Sequence, residues 1–372
     1  MDGPWRELIE YLVRDGVVTP GWAPVFAAVP RAGFVPDRVW VGPLGDQLVD
    51  RALDPAGWAA AVAADQPLAT HHTGTGTERV PSSSCSMPYM VATMLAHLDV
   101  HPGQRVLEVG TGTGWNAALL AHRLGDTNVM SIEVDPLVAE QAAKALKAAG
   151  YAPVLVVGDG LSPELESPVD RLIATCAIQT VPYAWVEAVR PGGVIVTPWG
   201  LSLRNGLLVR LTVGDDGTAS GPVVDDATFM FAASQAPARD VMGFVADDHD
   251  TRSDATGLDP RLLRDPDAGF AIGLHLPGVV KVFGYGTGES AGEVTAWLAD
   301  PATGSWAAVD YTPKATEFEV TAHGPRNLWG EVVQAYRWWW DLGRPERTRF
   351  GLTITPAGQQ VWLDTPDLPV AG

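Results

Sequence analysis

The chain has 372 residues, 46% of them apolar and 19% charged, a composition that sustains a large packed core and excludes global disorder. Its formal net charge is −19, and Lys and Arg are scattered without a basic run. This excludes an electrostatic nucleic-acid footprint, and it means that an anionic substrate needs a local positive group. No stretch approaches the roughly 18 uninterrupted apolar residues of a membrane span, so no membrane partner is expected. Cys85 and Cys176 are the only cysteines, which leaves no disulfide framework and no metal-ligand spacing.

The acidic, amphipathic start "MDGPWRELIEYLVRDG" lacks the basic and apolar regions of a secretory signal, so a bacterial-type cytoplasmic protein is expected. Residues 4–16 and 22–30 read as short helices, and a stretch of poor regularity follows to about residue 70. "HHTGTGTERVPSSSCSMPYM" reads as an ordered loop, because Gly, Ser and Thr dominate it. Residues 88–98 read as a helix with Pro88 in its first turn.

From residue 105 the rhythm becomes regular. "RVLEV" is a strand and "WNAALLAHRLG" a helix closed by Gly125. "VMSIEVD" is a strand, followed by a helix, "PLVAEQAAKALKAAG", with Pro136 in its first turn and Gly150 past its end. "PVLVVGDG" and "VDRLIATC" are strands, "YAWVEAVRPGG" a helix and "VIVTPWG" a strand. This alternation predicts an α/β fold, a parallel sheet with helices on both faces. "LLVRLTVGDDGTASGPVVDDATFMF" adds antiparallel strands about a "DDG" turn.

Residues 236–268, rich in Asp, Pro and Gly, read as a linker. Beyond it, "GFAIGLHLPGVVKVF" and "EVTAWLADPATGSWAAVDYT" read as strands. "RNLWGEVVQAYRWWWDLG" reads as a helix with Leu328, Val332, Ala335, Tyr336 and Trp339 on one face. "RFGLTITPAGQQVWLD" is a hairpin. Together these predict a separate small α+β domain over 269–372.

The chemistry starts at "VLEVGTGTGWN", residues 106–116. A strand, a glycine turn and a helix start make a cradle for the polar part of a nucleotide-like ligand. The spacing is G-x-G-x-G, and no Walker lysine follows, which argues against a triphosphate. Glu133 ends the next strand, where an acid can accept two ribose hydroxyls. Asp159 ends the third strand and can accept an adenine amino group. Alternatives stand beside each: a plain tight βα turn, a helix cap from Glu133 or Asp135, a turn at Asp159.

"VLEVGTGTGWNAALLA", "SIEVD" and "VVVGDG" resemble the S-adenosylmethionine motifs of class I methyltransferases. "VPRAGFVPD" (29–37), "SCSMPYMVATML" (84–95), "DRLIATCAIQTVP" and "VRPGGVIVTPWG" narrow the resemblance to the protein-L-isoaspartate O-methyltransferase family, over roughly residues 20–235. The resemblance implies a Rossmann-like parallel sheet in residues 1–235, with an N-terminal helical part over 1–80. It implies S-adenosyl-L-methionine as cofactor and S-adenosyl-L-homocysteine as product. Cofactor contacts are then expected from Glu108, Gly110, Thr111, Gly112, Thr113, Gly114, Trp115, Asn116, Glu133, Val134, Asp159 and Gly160.

The implied reaction is methylation of an aspartyl or isoaspartyl carboxylate in a peptide or protein, followed by closure to a succinimide. Ser86 matches the serine beside the substrate carboxylate in the family's I-S-x-P segment, and Ser83 and Ser84 are adjacent donors. All three could instead cap the helix at 88–98. His71, His72, His97 and His122 are expected in loops or on helix surfaces, because a carboxylate acceptor needs no strong base.

Repair enzymes of this family commonly end near residue 235, whereas this chain continues. Extended forms resemble actinobacterial methyltransferases of lanthipeptide and graspetide pathways. The leading expectation is therefore tailoring of a modified precursor peptide to an aspartimide. Repair of damaged proteins is the alternative, and a cofactor-binding module without transfer activity is a further one. The later segment carries seven of the 14 tryptophans and the arginines Arg344, Arg347 and Arg349. It is expected to recognise the substrate peptide through those arginines, with one of Trp338, Trp339 and Trp340 forced away from its neighbours.

Overall fold

The computed structural model describes residues 3–42, 45–74, 79–245 and 250–370. Two helices, α1 (Gly3–Arg14) and α2 (Ala23–Ala28), open the chain. Trp5, Ile9 and Leu12 of α1 are buried, the face that its 3.6-residue period presents to the core.

The stretch expected to be irregular is instead ordered. It holds β1 (Arg38–Val41), β2 (Gln47–Asp50), α3 (Pro55–Ala63) and β3 (Leu68–Thr73), and the serine segment itself is β4 (Val80–Cys85). These strands form an antiparallel sheet in the order β2-β1-β3-β4. Serines and histidines have weak strand preference, and here pairing overrides it: Leu68 to Thr73 register against Cys85 to Val80. Residues 75–78 of the expected loop lie outside the described residues.

Then come α4 (Pro88–Leu98), β5 (Val106–Val109), α5 (Trp115–Leu124), β6 (Val129–Glu133), α6 (Pro136–Ala149), β7 (Val154–Val157), β8 (Val169–Ala174), α7 (Tyr183–Ala188) and β9 (Val189–Gly200). The expected helix through "VRPGG" stops at Ala188. Arg190 precedes a proline, which disfavours helical backbone, and the segment enters β9. β10 (Asn205–Val213) and β11 (Ala219–Asp226) follow. β5 pairs in parallel with β6 and β8, β6 with β7, and β8 with β9. The chain runs outward from β5 to β7 and returns beside β5 with β8. The direction of winding therefore changes at β5, where α/β sheets hold ligands beyond the strands' C-terminal ends.

The second half departs most from expectation. The segment read as a linker contains β12 (Arg252–Thr256), and "GFAIGLH" is a helix, α8 (Pro266–His275). An apolar run of this length has no period that separates a strand from a helix buried all round. Residues 268–274 are all buried, and Asp265 caps the helix by accepting the N–H groups of Asp267 and Ala268. β13 (Val280–Tyr285), β14 (Val294–Asp300), β15 (Ser305–Tyr311) and β16 (Phe318–His323) join β12 in a five-stranded antiparallel sheet, covered by α9 (Leu328–Asp341).

The final hairpin, β17 (Phe350–Thr355) and β18 (Gly358–Leu363), does not belong to that sheet. β17 pairs with β11, giving a nine-stranded sheet in the order β18-β17-β11-β10-β9-β8-β5-β6-β7. Residues 236–268 are thus not a plain linker, and 269–372 is not a detached unit. Phe270 of α8 meets Trp199 of β9 and Phe350 of β17 edge-on, at ring distances of 5.5 and 5.1 Å. The two halves share a core there.

Candidate active site

The glycine loop owes its shape to backbone geometry. Gly110, Gly112 and Gly114 all have positive φ, at +91°, +55° and +83°. A Cβ on Gly110 would stand 2.6 Å from Thr175 Oγ1, and one on Gly160 would stand 2.5 Å from Val109 Cγ1. Side chains there would collide with those neighbours, so the loop can pack this closely against β5 and the end of β8 only as glycine.

The loop lies at the floor of a cavity of about 640 Å³ at the C-terminal ends of β5, β6 and β8. Gly110, Thr111, Gly112, Thr113, Trp115, Asn116, Glu133, Val134, Asp159, Gly160, Ser83, Ser84 and Ser86 all line it, so residues of β4, α5 and β6 converge with those of four connecting loops. Two expected cofactor residues stand behind the wall. Gly114 faces Leu146 and Ala142 of α6. Glu108 is fully buried, accepting hydrogen bonds from Asn116 Nδ2 at 2.7 Å and from Ser131 Oγ. Burial pushes its carboxyl up to about 7 against those two bonds. Trp115 is mainly a core residue: its indole N–H donates to Val29 O, and Trp5 and Phe26 pack edge-on against it.

Glu133 accepts the Gly112 N–H at 2.9 Å and the Asp135 N–H at 3.2 Å. A carboxylate has about four acceptor positions, so two remain for a ligand's hydroxyls. The helix-cap role falls to Asp135, which accepts from Leu137 and Val138. Asp159 is exposed to the cavity and also accepts the Leu161 N–H at 2.9 Å, so its turn bond does not withdraw it from the cavity wall.

The serines do not cap α4. Its N-cap is Met87, with no side-chain bond, and the Tyr89 N–H goes to Asp65. Ser83 is buried and receives the Thr70 hydroxyl at 3.3 Å, while Ser84 and Ser86 are half-buried in the cavity wall. His71 and His72 sit in β3 and not in a loop. His71 Nδ1 meets Ser82 Oγ at 2.8 Å and lies 4.0 Å from Asp135 through the same nitrogen, so no proton relay runs through the ring.

Several lining residues escaped the sequence reading. Cys176 forms part of the wall, with its thiol pushed up to about 12 by burial, so it stays protonated. Phe229 to Ala233 form the opposite wall, bridged to Ala177 through the Ala177 N–H to Met230 O and the Ala232 N–H to Ala177 O. Arg239 closes the rim. The fragment "TFMF" had read as the end of a strand, and nothing in its local pattern marks a cavity wall.

The arginines expected to bind substrate do not line the cavity. Arg347 is held by Asp226 and Asp267, Arg349 by Asp364, and Arg344 lies over the Trp340 ring at 4.7 Å. The residue forced outward among the three tryptophans is Trp340, 52% exposed. Among the described residues no cluster of His, Cys, Asp and Glu could hold a metal ion, and no helix is long and apolar enough to cross a membrane.

The family model for protein-L-isoaspartate(D-aspartate) O-methyltransferase matches residues 62–236. The protein-L-isoaspartate O-methyltransferase of Hyperthermus butylicus is 33% identical over 231 residues, covering 59% of this chain and 84% of that protein. Protein-L-isoaspartate O-methyltransferase 2 of Rhodopseudomonas palustris is 37% identical over 142 residues, which span 38% of this chain and 64% of that one. A solved structure of a protein-L-isoaspartate O-methyltransferase shares the fold over 97% of this chain and 100% of its own, with a TM-score of 0.56 at 20% identity. With the glycine loop, both strand-end acids and the serine strand around one cavity, the chain belongs to the protein-L-isoaspartate O-methyltransferase family.

Proposed function

We propose that this protein methylates the free carboxylate of isoaspartyl residues in peptides or proteins, using S-adenosylmethionine. The observation that carries this reading is the division of the cavity: Glu133 and Asp159 stand at the glycine loop, and Ser83 and Ser84 of β4, with Ser86 just past its end, on the facing side. The cofactor fits the first side, because Gly110 and Gly112 present bare backbone to the cavity in a positive-φ turn and Glu133 retains acceptor capacity. When bound, S-adenosylmethionine supplies a methyl group on a cationic sulfur, a leaving group that needs no protonation.

The chain's own task is orientation. A carboxylate is already ionised at neutral pH, so no residue has to remove a proton. Ser86 and Ser84 can donate to one carboxylate oxygen and leave the other free to form the new C–O bond as the C–S bond breaks. Holding the two reactants in line supplies most of the rate. Phe229, Met230 and Phe231 make the far wall apolar. The ester then loses methanol as the following backbone nitrogen closes the succinimide.

The extension past residue 235 had favoured tailoring of a modified precursor peptide. A protein-L-isoaspartate O-methyltransferase has the same fold over nearly this whole length, so the extension does not separate the two roles. Isoaspartyl methylation is the better supported reading. The free thiols of Cys85 and Cys176 are compatible with a reducing, cytoplasmic setting.

Mass spectrometry of isoaspartyl peptides and their aspartyl twins, incubated with enzyme and cofactor, tests it. A methyl ester followed by succinimide on the isoaspartyl peptide is expected. Ester on the normal aspartate of a constrained peptide alone would restore the tailoring reading, and cofactor binding without any ester would leave only a binding module.

A further inference from the structure

The cavity wall is acid-rich, with Glu133, Asp135 and Asp159 among its residues, and Arg239 is the one Arg, Lys or His side chain lining it among the described residues. The protein as a whole repels anions, at a net charge of −19. Arg239 is exposed at the rim, and its guanidinium makes no hydrogen bond or ion pair among the described residues. Arg326, Arg347 and Arg349 are, by contrast, neutralised by carboxylates of their own chain. The adjacent Asp240 is turned to the Gly243 N–H at 2.8 Å.

The segment that carries Arg239 is anchored. Gln235 binds the 179–180 backbone through both ends of its amide, so the chain four residues before Arg239 is held to the segment between β8 and α7. A guanidinium is a planar fork suited to a carboxylate, and one that meets no carboxylate among the described residues, at the mouth of an anion-consuming site, is available to an acid of the substrate. Its solvent exposure puts it at the entrance, whereas Ser86 lies half-buried within the wall.

Building on the proposed isoaspartyl activity, we infer that Arg239 is a specificity residue that holds a second, non-reacting carboxylate of the substrate: an Asp or Glu within two residues of the methylated position. The favoured substrates are acid-flanked isoaspartyl peptides. Such a contact leaves the acceptor carboxylate free to react, which a two-pronged grip on that same group would hinder.

The test uses the full-length protein and isoaspartyl hexapeptides carrying Glu or Gln at each position within two residues of the isoaspartate. Wild type should favour at least one Glu peptide over its Gln twin by about two- to fivefold in kcat/KM, as befits a solvent-exposed charge pair. The preference should reside in KM and shrink as salt is raised. Arg239→Gln should abolish it and Arg239→Lys keep part of it, with S-adenosylhomocysteine affinity unchanged in both. Peptide binding to the S-adenosylhomocysteine-saturated protein should show the same ordering without any turnover.

The inference is overturned if wild type makes no distinction, if Arg239→Gln keeps the distinction, or if it weakens Glu and Gln peptides equally. Failure of wild type to methylate any of the peptides would strike the proposed function instead; the binding ordering would then decide Arg239 alone.

Discussion

Gln235 Oε1 accepts two backbone N–H groups at once, from Gln179 at 2.7 Å and Thr180 at 2.9 Å. The same amide donates to Thr180 O, and Gln179 Nε2 donates back to Gln235 O. Gln359, on the C-terminal hairpin, donates to Gln179 O and accepts from Val181. One cavity wall is therefore fixed through a chain of glutamines that reaches the last strand of the nine-stranded sheet.

Gln235→Ala removes the clamp and leaves two N–H groups without a protein partner, a loss of roughly 1–3 kcal/mol. The 229–239 wall should loosen. The expected outcome is a drop in kcat/KM for peptide of about tenfold or less, with S-adenosylhomocysteine affinity retained within about twofold. Calorimetry and steady-state kinetics on the same sample separate the two effects. An equal loss of cofactor affinity would mean that the clamp supports the whole cavity.

Glu133 and Asp159 are predicted to hold the adenosine part of the cofactor. Loss of hydrogen bonds to a charged acceptor is worth roughly 1.5–3 kcal/mol, so Asp159→Ala should weaken binding about tenfold. Glu133→Ala should weaken it more, because Glu133 also fixes the Gly112 N–H and thus the loop. Glu133→Gln keeps an acceptor for that N–H and should fall between wild type and Ala. Titration calorimetry with S-adenosylhomocysteine reads all three, and unchanged affinity in both Ala variants would remove these acids from the site.

Ser86→Ala should slow methyl transfer while leaving cofactor affinity and thermal stability close to wild type, because the Ser86 hydroxyl lines the cavity and caps no helix. Ser83→Ala should instead cost mainly stability: its hydroxyl is buried against Thr70. Single-turnover rates and melts on both variants check the division.

The methyltransferase half was legible because its signals are local. Strand, glycine turn and capped helix recur within a few residues, and Pro136, Asp135 and Gly150 punctuate α6 where expected. The positions of Glu133 and Asp159 followed from strand ends alone. What stayed hidden depends on partners distant in sequence. β4 is a strand because β3 lies beside it, although its serines favour turns. Phe350, Leu352 and Ile354 formed an obvious hairpin, but nothing in their pattern says that β11 is their neighbour. Arg347 looked free because its partners, Asp226 and Asp267, stand 121 and 80 residues away.

Glu108 gives a pH signature. Its folded carboxyl, raised to about 7 from an ordinary 4.5, binds its proton more tightly than the unfolded chain does. The stability this contributes is full below about 4.5 and is lost as pH rises through about 7. Glu108→Gln should flatten that decline, so its stability relative to wild type should be higher at pH 8 than at pH 5. Urea melts at the two values measure it. The same slope in both proteins would show that Glu108 ionises in the folded state as easily as in the unfolded one.

Arg347 is predicted to act on stability and not on substrate binding. Its guanidinium joins Asp226 at the end of β11 to Asp267 in the first turn of α8, and its backbone N–H also reaches Asp267 at 2.9 Å. It thereby fastens the five-stranded half to the nine-stranded sheet beside the Phe270–Phe350 contact. The hydrogen bonds from Arg347 hold the Asp226 carboxyl below its usual range. A depressed acid stabilises the fold above its unfolded pKa, and that contribution is lost as pH falls through the folded value. Arg347→Ala should therefore destabilise by roughly 1–2 kcal/mol at neutral pH, with allowance for solvent screening, and by less in acid. Asp226→Asn in the Arg347→Ala background should add less than it does alone, since the two side chains act as one unit. Peptide KM, measured well below the melting temperature, should stay at the wild-type value. A raised KM with an unchanged melt would return Arg347 to the substrate-binding role that the sequence suggested.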